Sequence, residues 1–229
     1  LVSPNNINVD NAIYFFTATD EYDGTYSSLV NGVPSNGATS IIPSMQGFFV
    51  HITPLFPVEA TLVMNNSVRI TNLTSPFYKS VNKVPVPLLR LAACFSDDTV
   101  SFDPVVVYFD DKATTDFDSQ LDALKLLNTD TEIPNLYALS SGGSDLSIDA
   151  LPYNSETSFT VPLALSTYKD GDIIFKVRSN SLDLPGIRIY FSDASSGVEM
   201  DILKGNEYKV SLPAADYKNR FFINFSNQT

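Results

Sequence analysis

The chain has 229 residues, enough for one large sandwich or two smaller units, each with a core of its own. With 44% apolar and 17% charged residues it is a globular chain, and its apolar runs fall short of the roughly 18 residues that would suggest a membrane span. A formal net charge of -12 opposes contact with a phosphate backbone and excludes nucleic acid as a partner class.

The opening, LVSPNNINVDNAIYFF, has no basic leader and no initiator Met, and reads as a segment of a longer chain with flanking domains. TDEYDG at residues 19–24 reads as a hairpin turn closing on Gly24. The run IIPSMQGFFVHI at 41–52 is broken by Pro43 and again by Gln46-Gly47. Gly47 there allows a bulge or close backbone approach, Phe48 and Val50 take one strand face, and Phe49 and His51 take the other. Pro85 and Pro87 stiffen an extended connector, which divides the chain into a smaller N-terminal β domain, residues 1–86, and a β-sandwich, residues 87–229.

Beyond the connector, Leu89, Leu91, Ala93 and Phe95 alternate with Arg90, and Cys94 is a small strand residue beside a core. VVVYF at 105–109 is apolar on both faces, the pattern of a central strand. In DFDSQLDALKLLN, Phe117, Leu121, Leu124 and Leu127 recur at steps of three and four, with Asp116 as a cap and Lys125 toward the end; this predicts one short helix over the end of the sandwich. Period two then returns: Val161, Leu163 and Leu165 share a face, as do Ile187, Ile189 and Phe191, and Phe221, Ile223 and Phe225. Turn clusters at 140–145, 168–172, 193–199 and 204–208 punctuate these runs. The fold class is all-β: an antiparallel β-sandwich, jelly-roll or Ig-like, in two β domains with one short helix.

Candidate chemistry is sparse. Asp116, Asp118 and Asp122, with Asp110 and Asp111 nearby, are candidate ligands of a structural calcium, which needs six to eight oxygens. Their spacing departs from an EF-hand loop, since Gln120 and Leu121 stand at acidic and glycine positions. The plainer reading makes Asp116 a helix cap and the others a solvated face. Tyr22, Tyr26, Tyr153 and Tyr168 lie in polar, turn-rich contexts and are candidate glycan contacts, although the chain has no Trp, the strongest stacking platform. With 26 acidic residues, carboxylate pairs arise by chance and do not mark a glycosidase. There is no G-x-S-x-G, and His51 is the single histidine available to activate Cys94 or a serine.

The stretch NAIYFFTATDEYDGTYSSLVNGV followed by IIPSMQGFFVHI resembles a pattern in the C-terminal accessory regions of large secreted and cell-surface proteins of Bacteroidetes, the type that precedes a type IX secretion sorting domain. Ala12, Ile13, Tyr14, Tyr26, Asn31, Gly32, Ile42, Pro43, Met45, Gln46, Gly47, Phe48, Phe49 and Val50 carry the likeness. It continues in VVVYFDDKATTDFDSQLDALKLLN, PNLYALSSGGSDLSIDALP, VPLALSTYKDGDIIF and YKNRFFINF. The family's GWNLiGNPYPs lead-in is missing, as is the sorting domain. The resemblance implies a non-catalytic structural or adhesion-type module, extracellular or at the cell surface, with no cofactor and with a surface glycan or protein as partner. A carbohydrate-binding module using exposed Tyr and loop carboxylates is the alternative, and a fragment of a glycan hydrolase the third.

Overall fold

The structure, a computed structural model, describes residues 6–53, 59–69, 86–152, 158–184 and 186–227. It is all-β. A small antiparallel sheet is formed by β1 (Ile13–Ala18), β2 (Gly24–Val30) and β3 (Val33–Pro34), and isolated bridges such as Tyr14 to Phe49 extend its β1 edge. The large sheet holds β4 (Leu88–Phe95), β5 (Asp103–Phe109), β6 (Ala123–Leu124), β7 (Asn135–Leu139), β8 (Asp145–Leu151), β9 (Phe159–Ser166), β10 (Gly171–Asn180), β11 (Ile187–Asp193), β12 (Val198–Met200), β13 (Glu207–Leu212) and β14 (Asp216–Asn227). Its order is β12-β11-β14-β9-β7-β8-β5-β4-β10-β13, with β6 added on β8. The pairs are antiparallel except β5 with β8, which run parallel and make the sheet mixed.

Alternation is what folds this sheet on itself. Phe175 of β10 lies 4.9 Å from Phe191 of β11 and 4.7 Å from Phe221 of β14, and Phe191 lies 5.3 Å from Tyr208 of β13. These strands sit near opposite ends of the hydrogen-bonded order, so the sheet's two halves face one another across a shared aromatic core. Val161, Leu163, Leu165, Ile189, Ile223 and Phe225, inward by pattern, are buried in it.

The other face of β5 and β8 is covered by the small sheet. Ala12, Tyr14, Val30 and Val33 pack with Val106, Tyr108, Ile148 and Ala150 in a second core. That cover explains why Val105 to Tyr108 are buried on both faces. Arg90 adds a polar tie, donating to the Pro34 carbonyl at 2.7 Å and to Ser179 Oγ at 2.8 Å. The connector that places the sequence boundary at residue 86 falls largely in residues 70–85, outside the described ones.

The expected helix over residues 116–127 does not form. Asp122 N bonds to the Asp118 carbonyl at 2.8 Å, which gives a single turn, and Ala123–Leu124 then join the sheet as β6. Carboxylates bonding nearby N–H groups compete with helical bonding: Asp118 Oδ1 takes Gln120 N and Asp122 Oδ2 takes Asp118 N. Long-range partners finish the diversion. Tyr108 Oη donates to the Leu121 carbonyl at 2.7 Å, and Leu124 N donates to Tyr14 Oη at 2.9 Å.

Candidate functional site

The three aspartates proposed for calcium are turned to different partners. Asp116 Oδ1 accepts from Phe117 N at 2.7 Å and Ser140 Oγ at 3.3 Å. Its seat requires Gly142, where a Cβ would fall 2.2 Å from that carboxylate. Asp118 accepts from Gln120 N, and Asp122 is wholly buried with Oδ1 on Ala150 N at 2.7 Å and Oδ2 on Asp118 N at 2.6 Å. Among the described residues no three His, Cys, Asp or Glu side chains are grouped to hold a metal ion. Burial, with the charges of Asp118 and Asp116 adding to it, pushes the Asp122 carboxyl up to about 7. Burial also holds Asp149 well above the usual carboxylate range, with Asp122 as its charged neighbour.

Other interior ion pairs escape a reading by sequence. Lys125, expected at a helix end, is buried and its ammonium pairs with Asp103 Oδ2, which also accepts from Leu136 N at 2.7 Å. Beside this pair is a cavity of about 10 Å³, lined also by Ser28, Ser35 and Ser147, roomy enough for a single water. Asp193 accepts four hydrogen bonds, from Arg220 Nε and Nη2, Tyr208 Oη and Ser195 N. Burial pushes its carboxyl up, but Arg220 and Tyr208 outweigh that and hold it well below the usual range.

His51 Nδ1 lies 2.6 Å from Oδ2 of the buried Asp10, whose Oδ1 accepts from Thr53, and the ring stands edge-on to Phe117. A buried carboxylate fixing a half-exposed imidazole is half of a catalytic relay. No serine or cysteine side chain is bonded to His51 among the described residues. Cys94 is buried with Sγ directed at the Ile174 carbonyl, and burial raises its thiol. No sequence signal pairs Asp10 with His51, or Asp193 with Arg220, because both contacts are long-range.

The tyrosines are partly brought together. Tyr26 N donates to Asn128 Oδ1 at 2.8 Å, Tyr168 Oη to the Asn128 carbonyl at 3.4 Å, and Thr129 Oγ1 to the Tyr22 carbonyl at 3.4 Å. The Tyr22 ring is 82% exposed and Tyr168 is 47% exposed. Tyr26 is half-buried, 5.0 Å from Phe16 and 6.2 Å from Phe49. Tyr153 lies outside the described residues.

A groove of about 170 Å³ lies on the outer face of β1 and β2, beneath the loop of residues 37–46. Phe15, Ile41 and Pro43 bring apolar groups to its lining, and Thr17, Ser27, Thr39 and Gln46 bring hydroxyl and amide groups. Residues 41–46 of this loop open the IIPSMQGFFVHI run. Gln46 N bonds to the Pro43 carbonyl, closing a turn whose third residue, Met45, has φ 70° and a fully exposed side chain.

A family model described as a domain of unknown function, DUF8693, matches residues 3–225. The chain belongs to that family. No curated protein and no solved structure matches it. The DUF8693 match takes in both sheets except the last two residues of β14, together with the groove and every interior ion pair described above. No helix among the described residues is long and apolar enough to cross a membrane.

Proposed function

We propose that the chain is a non-catalytic, extracellular β-module of a secreted or cell-surface bacterial protein, serving spacing, presentation or adhesion, with flanking domains in a longer chain. The observation that supports this reading is the use of the interior polar groups as struts. Asp122 ties residues 118–122 to β8, Asp103 ties Lys125 and β7 to β5, and Asp193 ties β11 to β13 and β14. An enzyme's working carboxylate keeps an oxygen for the substrate. Here both oxygens of Asp122 and of Asp193 face backbone or side-chain donors of the same chain.

The test is a panel of glycosidase, esterase and peptidase substrates incubated with the purified chain. The expected result is no turnover above buffer. Turnover that disappears in Asp122→Asn or His51→Ala would overturn the reading, because those two side chains have the raised carboxyl and the oriented imidazole that catalysis would use.

A further inference from the structure

We propose that the groove beneath residues 37–46 is a binding subsite for one ring of an uncharged glycan. The inference deepens the adhesion reading by giving it a ligand class, and it rests on that reading.

The lining decides the class. The chain carries 40 charged side chains, 14 basic and 26 acidic, yet none lines this groove. A charged ligand would find no counter-charge and would meet a molecule of net charge -12. A purely apolar ligand would cover the Thr17, Ser27, Thr39 and Gln46 groups without offering them a partner, and each polar group left unsatisfied weighs against binding. A sugar ring presents both an apolar C–H face and hydroxyls that donate and accept. The apolar lining of Phe15, Ile41 and Pro43 suits the first, and the hydroxyl and amide groups of Thr17, Ser27, Thr39 and Gln46 suit the second.

The rim is already ordered for this. Thr39 Oγ1 donates to the Ile41 carbonyl, which leaves its oxygen lone pairs to accept. Gln46 Nε2 donates to the Gly47 carbonyl at 2.8 Å, which holds the amide with Oε1 as an acceptor. Ala38 N is fixed on the Ser35 carbonyl, so the loop enters from an anchored turn. A pre-ordered rim loses little freedom on binding. Met45 has φ 70°, a conformation costly for a bulky residue, and presents a fully exposed, pliable side chain at the turn beside the groove.

The experiment is an array of neutral gluco-, manno-, galacto- and xylo-oligosaccharides, with polygalacturonate as an acidic arm, followed by titration of any ligand bound. Wild-type chain is expected to bind a neutral oligosaccharide and not polygalacturonate. Ala38→Phe, which fills the groove, and Gln46→Ala should each weaken binding at least tenfold with unchanged melting temperature, while Tyr22→Ala and Tyr168→Ala leave it unchanged. Loss in the tyrosine variants with retention in the groove variants would overturn the assignment and move the ligand to the exposed tyrosine edge. Absence of binding to every neutral oligosaccharide would overturn the subsite and leave the non-catalytic reading standing. Turnover of a bound oligosaccharide would instead count against that reading.

Discussion

Asp122 and Asp149 keep their protons in the fold to a higher pH than an ordinary carboxyl. For Asp122, between about pH 4 and 7 the unfolded chain releases a proton that the folded chain retains, so its contribution to stability falls as pH rises through this window, and Asp149 acts in the same direction. Melting temperature should therefore rise by several degrees from pH 8 to pH 5, and Asp122→Asn should flatten the profile; an unchanged slope in that variant would contradict the assignment. Asp193 has the opposite sign, since its depressed carboxyl contributes stability above the ordinary carboxylate value that is lost only in strong acid. Arg220→Leu leaves Asp193 buried and unpaired and should cost about 3–5 kcal/mol by urea denaturation. Chelator should leave the melting temperature unchanged, because Asp116, Asp118 and Asp122 are held by N–H and hydroxyl donors. These roles were poorly legible: Asp122 stands in a helical pattern, and Asp149, paired with Val107 of the large core, looks in the sequence like any polar residue of an alternating strand.

The strands were largely legible, since Phe221, Ile223 and Phe225 recur at every second position and each is buried in the core. Phe221→Ala empties a space between Phe175 and Phe191 and should cost about 3–5 kcal/mol, read as a shift in denaturation midpoint without a change in slope. The irregular form of residues 116–127 is not legible in the sequence, because the apolar spacing of Phe117, Leu121 and Leu124 satisfies a helix equally well. Their irregular form is decided by Tyr14, Tyr108 and β8, up to 110 residues away. The PSMQ turn was legible as a break at Pro43, but its left-handed residue is Met45 and not the neighbouring Gly47. Met45→Gly relieves that conformation and, since the side chain is fully exposed, should raise the melting temperature by a degree or two; an unchanged or lower value would contradict the strain.

At the scale of the molecule, the sequence shows VVVYF as a strand buried on both faces without showing what lies over the second face. The cover is the N-terminal sheet, through Tyr14, Val30 and Val33, with Arg90 bonded to Pro34 and Ser28 Oγ 2.8 Å from Ser147 Oγ. The proposed role in spacing or presentation needs the parts of the chain to move as one body, and the shared core supports that. A fragment of residues 87–229 would expose the covered faces of Val106, Tyr108, Ile148 and Ala150, and should be less stable than the full chain and prone to associate. The most direct measurement is scanning calorimetry of the full chain. One peak, with calorimetric and van't Hoff enthalpies in agreement, is the predicted result. Two separable transitions, with the lower one removed by deleting residues 1–86 and the upper one unmoved, would contradict a single structural body.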